Sequence, residues 1–512
     1  MATAAIGLVV YLLGLCVGSF LNVVVYRLPR GLSISQPVWS FCPSCRSTLR
    51  WYDNIPVLSW LMLKARCRYC GKPISPQYPL VEAVTGLIFV LVYYLLYVTH
   101  ARVAVSMADF AVYVHPAWPR DAALLLGWLI LVAVLIACSA MDLILYLIDT
   151  RVTDVALLGG LVCYALWPAP TAFHQHVAEP LSAATFVAAL ISGVMMWRAN
   201  RAQSGLEEMG VQAEDRPEDA TQPRATMADR AAVVIAILLF VGLAFWILAT
   251  DVITDAGVPV PFRQYVVPAA LVALFVAMVL TGGQMRAIDD EIHAAIEAEA
   301  PEARRTALRE CLWLMPAALG GLAAYLLVWS VPVIDTFWSM LVNWEPSAGL
   351  TPIGGVAFSL QGAIFAATAG WGIRIFFTLA FGREAFGTGD IYILAAAGAI
   401  AGWDIALLGF LLAIPIALLG WLLSLVLKRT GMIPFGPPLA LGFLTALWLN
   451  GPAAITLNGY AELLVQAWNG QRSIVLMGIG LLLVVLPVAI ILARMARRFV
   501  EPVSSSEPPA ER

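Results

Sequence analysis

Thirteen apolar runs, each bounded by polar or charged residues, leave this 512-residue chain few ways to fold. They lie near 6–26, 80–98, 122–141, 152–167, 181–197, 231–250, 265–281, 312–334, 358–381, 391–402, 405–427, 432–449 and 473–492. A bilayer core of about 30 Å is crossed by about 20 apolar residues in a helix, because a helix satisfies its own backbone hydrogen bonds in lipid. The run beginning at Ile391 is short and is expected to borrow length from its flanks. Hydrophobic residues make up 61% of the chain, charged residues 12%, and the mean hydropathy is +0.85. The expected fold class is therefore an all-α polytopic membrane protein with about 13 transmembrane helices. A net charge of −3 argues against a nucleic-acid partner.

Charge in the loops predicts the orientation. Loops 27–79, 142–151, 198–230, 283–311, 382–390, 428–431 and the tail 494–512 carry 25 of the 30 Lys and Arg residues. The alternate set carries only Arg102, Arg120, Arg263 and Arg472. Basic loops stay in the cytoplasm, so the amino terminus is expected outside and the carboxyl terminus inside. An even number of helices would mix the two sets. The first 25 residues lack a basic leader region and run on into Tyr26 and Arg27, so they are expected to remain as the first helix rather than be cleaved as a signal peptide.

Six segments follow from these shifts in composition. Residues 1–26 form the first helix, and 27–79 form a small cytoplasmic domain too poor in apolar residues to hold itself by a core. Residues 80–168 contain the next helices, and 169–352 an inserted membrane region with two polar cytoplasmic loops. The first of those loops, 198–230, is rich in Glu, Asp, Gln and Pro and reads as disordered linker, while 284–311 alternates charge with alanine as an exposed helix would. Residues 353–449 form further helices, and 450–512 an extra helix followed by a disordered tail.

What holds the small domain is legible in its cysteines. Cys42-Pro43-Ser44-Cys45 and Cys67-Arg68-Tyr69-Cys70 form two Cys-x-x-Cys pairs, the pattern in which two knuckles converge tetrahedrally on zinc. A disulfide framework or free thiols are the competing readings, and the reducing cytoplasmic side disfavours the disulfides. Four thiolates leave no open coordination position, so such a metal is structural. Arg46, Arg50, Lys64, Arg66, Arg68 and Lys72 make this loop basic, which positive-inside retention explains more simply than an anionic-ligand site. Cys16, Cys138, Cys163 and Cys311 lie in or at the ends of apolar runs and read as packing residues.

A carboxylate beside an apolar run is a functional candidate, because ionisable groups are expensive in lipid. Gly387-Thr388-Gly389-Asp390 places one directly before Ile391. The pattern alone is weak, since about 0.1 copies arise by chance at this composition. It gains weight from Asp142, which the charge count delivers to the same cytoplasmic boundary at the end of the third helix. Two carboxylates in a partly desolvated site titrate as a unit, one keeping a proton. That is what an aspartyl protease requires: one group takes a proton from water attacking a peptide carbonyl, the other protonates the oxyanion or the leaving amine. Gly387 and Gly389 would permit unusual backbone dihedrals and close approach of a peptide. Asp149 lies nearly two helical turns beyond Asp142 and is a reserve partner if that helix continues.

These features together resemble the type IV prepilin peptidase family. Gly18-Ser19-Phe20-Leu21-Asn22 with Tyr26-Arg27-Leu28-Pro29, the cysteine quartet enclosing Trp51-Tyr52-Asp53-Asn54, Tyr78-Pro79-Leu80-Val81-Glu82, the Gly387–Asp390 motif and Ile433-Pro434-Phe435-Gly436-Pro437 carry the resemblance. It covers residues 5 to about 168 and 353–449. The resemblance implies a bifunctional enzyme of the bacterial inner membrane that cuts the leader of prepilins or pseudopilins and then methylates the new amino terminus from S-adenosylmethionine. On that reading Asp390 and Asp142 are catalytic, Cys42, Cys45, Cys67 and Cys70 bind zinc, and membrane lipid with pilus or secretion machinery are the surroundings. No glycine fingerprint for the methyl donor is visible, so methylation rests on the resemblance alone.

The chain departs from the family's pattern in three places. Ile148-Asp149-Thr150 stands where the family has a Leu/Ile-Pro-Asp segment, residues 171 to about 352 are an insertion of four predicted helices, and a further helix follows Leu449. Glu82 and Arg374 are intramembrane charges expected to pair with each other or with backbone. Two other function classes compete. A transporter predicts midplane carboxylates and a repeat between halves, neither of which is visible. A noncatalytic relative serving as a pilus or secretion scaffold would follow if the altered segment after Asp142 had ended protease activity.

Overall fold

The computed structural model describes residues 2–36, 39–42, 44–98, 103–104, 113–114, 121–145, 148–167, 180–207, 227–255, 266–281, 302–345, 349–382, 384, 386–426 and 434–449. Helices dominate them. In chain order these are α1 (Ala2–Arg27), a short α2 (Leu58–Met62), α3 (Gln77–Tyr97), α4 (Ala122–Leu145), α5 (Thr150–Leu166), α6 (Pro180–Glu207) and α7 (Met227–Asp255). They continue as α8 (Val266–Thr281), α9 (Ala303–Ser330), α10 (Pro332–Val342), α11 (Pro352–Phe381), α12 (Thr388–Ala401), α13 (Trp403–Val426) and α14 (Gly436–Leu449). Two short antiparallel ribbons lie in loops: β1 (Val103–Ala104) with β2 (Tyr113–Val114), and β3 (Asn343–Glu345) with β4 (Gly349–Leu350). Six of the described helices are long and apolar enough to cross a membrane.

Twelve of the thirteen apolar runs fall on helices. The last, 473–492, lies outside the described residues, as do the polar segments 208–226 and 282–301 and the tail. The run 312–334 differs from its prediction at both ends. Helix α9 begins nine residues earlier, at Ala303, and stops at Ser330. Pro332 forces the preceding residue out of the helical region, and Val331 sits at φ −117°, ψ 102°. Pro332 then opens α10, so the described residues of the inserted region form five helices where four were expected.

Small residues set the helix crossings. Gly14 and Gly18 are four apart on α1, and a Cβ at either would stand 2.7–2.8 Å from the backbone of Gly86 or Glu82 on α3. That close approach is the small-xxx-small packing expected of helices in lipid, where dispersion and backbone contact replace the hydrophobic effect. A second crossing joins α11 to α12: a Cβ on Gly362 would lie 2.0 Å from the carbonyl oxygen of Gly398. Helix α12 is buried along nearly its whole length, against α4, α5, α11 and α13. It gains only Thr388, Gly389 and Asp390 from its amino-terminal flank, and Gly402 at φ 88° ends it.

The Cys-rich loop between α1 and α3 is tied to the helices by buried polar groups. Asn22 Nδ2 donates to the carbonyls of Gly18 and Tyr78, and the Val57 N–H donates to Glu82 Oε2 at 2.6 Å. Within the loop, the buried Asp53 accepts from Arg68 Nε at 2.7 Å and from the Tyr69 hydroxyl. Glu82 and Arg374 therefore do not pair with each other. Glu82 takes a backbone N–H, and Arg374 pairs with Glu310 and Glu384. Cys138 and Cys163 are buried as packing residues, whereas Cys16 and Cys311 are exposed.

Candidate active site

The end of α4 and the start of α12 meet, and each delivers one aspartate. Asp142 lies in the last turn of α4 and Asp390 in the first turn of α12, both buried. Asp142 Oδ2 accepts the Gly436 N–H at 2.7 Å, at the start of α14. Two helix amino termini, those of α12 and α14, thus face the pair, and the partial positive charge there favours carboxylates. Asp390 Oδ1 is buried and has no hydrogen-bond partner. A buried carboxylate oxygen left unpartnered is costly for stability and is what a group reserved for a substrate or water looks like.

Aromatic packing holds the two supporting loops together. Phe386 precedes Gly387, Phe435 precedes Gly436, and their rings meet edge-on at 6.0 Å with Phe410 packed against both. The two glycines of the Asp390 motif act through their missing side chains rather than through unusual dihedrals. Gly387 has an ordinary extended backbone at φ −67°, ψ 143°, and Gly389 is helical. A Cβ on Gly389 would stand 2.7 Å from Ile148 Cβ, and one on Gly387 would stand 3.1 Å from Asp390 Oδ2. The glycines let the segment after α4 pack directly on the motif.

Asp149 is at the same end of the bundle but is otherwise engaged. Helix α4 stops at Leu145, so the continuation that would have turned Asp149 toward the pair is absent. Asp149 instead caps α5, accepting the Arg151 N–H at 3.0 Å, and forms a two-pronged ion pair with the Arg151 guanidinium. That guanidinium holds its carboxyl below the usual carboxylate range. Gly436 is the residue at this site whose role was not read from sequence. Its signal was present in Phe435-Gly436-Pro437, a helix start with Pro at the second position, but the partner it serves is 294 residues away.

The four cysteines converge as their spacing predicts. All four Sγ atoms of Cys42, Cys45, Cys67 and Cys70 lie within 4.8 Å of one another, and Cys42 and Cys70 are 4.0 Å apart. Tetrahedral zinc with bonds of about 2.3 Å separates its sulfurs by about 3.8 Å, so the cluster can hold such a metal. The two knuckles are built alike. The N–H of Cys42 donates to Ser47 and that of Cys67 to Lys72, while Arg46 and Gly71 return to the carbonyls of Cys42 and Cys67. Arg46 and Gly71 both take left-handed backbone, at φ 56° and 69°. Burial pushes the Cys42 thiol up to about 11, while hydrogen bonds from Ser47 draw Cys45 down to about 6.

Comparison with known proteins adds an independent line. Residues 12–96 match the family model described as the bacterial peptidase A24 N-terminal domain. Prepilin leader peptidase/N-methyltransferases are similar over parts of their length. The protein from Myxococcus xanthus is 63% identical over 79 residues, covering 15% of this chain and 23% of that protein. The Klebsiella pneumoniae protein is 40% identical over 162 residues, 30% of this chain and 60% of that protein. The Aeromonas hydrophila protein is 36% identical over 176 residues, 30% of this chain and 53% of that protein. The chain therefore spans 60% or less of the length of these relatives. No solved structure matches.

Proposed function

We propose that this chain, whose family-model match and named relatives support the type IV prepilin peptidase family, is an intramembrane aspartyl endopeptidase that cuts the leader of prepilins or pseudopilins. One observation carries the mechanism: two buried carboxylates, Asp142 and Asp390, lie where the end of α4 meets the start of α12, and Asp390 keeps an oxygen unpartnered. The ionised member takes a proton from water as its oxygen bonds to the scissile carbonyl carbon. The protonated member gives its proton to the carbonyl oxygen. Collapse of the tetrahedral intermediate then breaks the C–N bond, and a proton passes to the departing amine. The Gly436 N–H holds Asp142 in place throughout.

Helix α12 has 14 residues and is about 21 Å long, shorter than the ~30 Å hydrocarbon core, which supports a site at its first turn set below the membrane surface. The positive-inside argument from the basic loops supports a site that faces the cytoplasm of a bacterial inner membrane. The same enzyme methylates the new amino terminus with S-adenosylmethionine as donor, a reading carried by the relatives' names. Pilus or secretion machinery is the proposed setting.

The four cysteines are proposed to hold structural zinc. Four thiolates would fill its coordination, so the metal would supply fold rather than Lewis acidity. Cys42→Ser with Cys67→Ser is expected to remove the one metal equivalent per chain, and to expose the 39–76 backbone to hydrogen exchange. Metal analysis and hydrogen exchange of wild type and variant side by side check it, and a wild-type chain carrying no metal equivalent would refute the assignment. The proteolytic reading itself is tested by incubating the purified chain in proteoliposomes with a pseudopilin precursor and following leader release. An intact precursor after prolonged incubation, with folded protein and several substrates, would leave a noncatalytic scaffold as the reading.

A further inference from the structure

The buried Arg374, two turns from the carboxyl end of α11, is part of a connection that runs from the inserted region to Asp390. Its Nη1 donates to the Phe386 carbonyl at 2.5 Å. Its Nε and Nη2 grip both oxygens of Glu310 at 3.0–3.2 Å, and Nη2 also meets Glu384. Glu310 belongs to α9, within the segment that departs from the family's pattern. Helix α9 makes a second contact with the same loop: the Arg304 guanidinium packs 3.2 Å from where a Cβ of Gly382 would stand.

The Phe386 carbonyl and the Gly387 N–H are the two ends of one planar peptide group. Fixing the oxygen fixes where the hydrogen points. Gly387 lies directly against the Asp390 carboxylate, whose Oδ2 is 3.1 Å from the position of a Gly387 Cβ. A guanidinium suits this task because its planar fork satisfies a carboxylate and a carbonyl at once, and a hydrogen bond at one end of a peptide polarises the other.

We infer that Arg374 is a positioning residue for Asp390: it locks the Phe386–Gly387 peptide through its carbonyl, and Glu310 of the inserted helix holds the guanidinium in that pose. The inference rests on the proposed catalytic role of Asp390. It gives the inserted region a part in the catalytic apparatus, because α9 reaches the loop that presents the motif.

The test uses the full chain in proteoliposomes with a pseudopilin precursor, comparing wild type, Asp390→Asn, Arg374→Gln, Arg374→Lys and Glu310→Gln. Misplacing a reacting group by about 1 Å lowers rates by about 100-fold. Arg374→Gln is accordingly expected to lower kcat by about 100-fold with KM within about twofold. Arg374→Lys restores part of the loss, because an ammonium can still reach the carbonyl but cannot grip both Glu310 oxygens, and Glu310→Gln loses about tenfold in kcat. If Arg374→Gln fails to accumulate as folded protein, Glu310→Gln decides, since it leaves Arg374 paired with Glu384. Wild-type kcat in both Glu310→Gln and Arg374→Lys, or losses confined to KM, would overturn the inference. Those results beside an inactive Asp390→Asn would leave the proteolytic reading intact, whereas normal cleavage by Asp390→Asn would remove both.

Discussion

Asp390→Asn is expected to lower prepilin cleavage by about 10⁴-fold, the upper end of what a general acid or base contributes. The exchange is nearly isosteric, so the loss should appear in kcat and not in folding. Asp390 Oδ1 has no hydrogen-bond partner, and the buried Asp142 lies where the end of α4 meets the start of α12. Removing one of two neighbouring buried carboxylates relieves the repulsion between them, so the variant should melt at the wild-type temperature or a few degrees above it. Gain in stability with loss of activity is the mark of a residue held in place for function. A melting temperature lowered in step with activity would instead make Asp390 a structural residue.

The second large effect is expected from packing. Gly362→Val would place a Cβ 2.0 Å from the Gly398 carbonyl oxygen, a backbone atom that no rotamer change can move aside. Helices α11 and α12 would have to separate, and α12 carries Asp390. Overpacking of this kind costs about 1–3 kcal/mol and sometimes more, and the shift of the motif should lower cleavage by at least about 100-fold. Gly372→Ala, on the same helix with nothing within 4 Å of its Cβ position, is the control. It is expected to be neutral or to stabilise by up to about 1 kcal/mol through helix propensity. Melting curves and expression of the two variants side by side test the difference.

Much of the architecture was legible because lipid imposes one demand, apolar length, on every spanning helix. The runs near 80–98 and 122–141 became α3 and α4 with ends shifted by a few residues. Hydropathy marks where lipid contact begins, however, and backbone hydrogen bonding does not stop there. Helix α9 starts at Ala303, so the end of the stretch that reads as a separate exposed helix, with Arg304, Arg305 and Arg309, is continuous with the apolar run after it. Pro332 signals the break at Val331, but hydropathy alone hides it because the run stays apolar on both sides.

At the site, local chemistry was legible and long-range pairing, apart from that of Asp142 with Asp390, was not. Cys-x-x-Cys spacing fixes each knuckle within four residues, and the quartet assembles as expected. Asp142 and Asp390 could be matched by depth, since both end helices at the same boundary. The choice between Asp142 and Asp149 depended on where α4 stops, which propensity cannot give to within a turn. The partners of Arg374 come from α9 and from the loop before Gly387, and no periodic pattern links residues 64 apart.

The direct test of the catalytic pair is single-turnover cleavage of a pseudopilin precursor by Asp142→Asn and Asp149→Asn measured side by side. Asp142→Asn keeps an oxygen for the Gly436 N–H and should remain folded, yet it is expected to be inactive to within about 10⁴-fold of wild type. Asp149→Asn loses an ion pair to Arg151 at the start of α5 and is expected to cleave within about threefold of wild type. An active Asp142→Asn beside an inactive Asp149→Asn would contradict the pairing of Asp142 with Asp390.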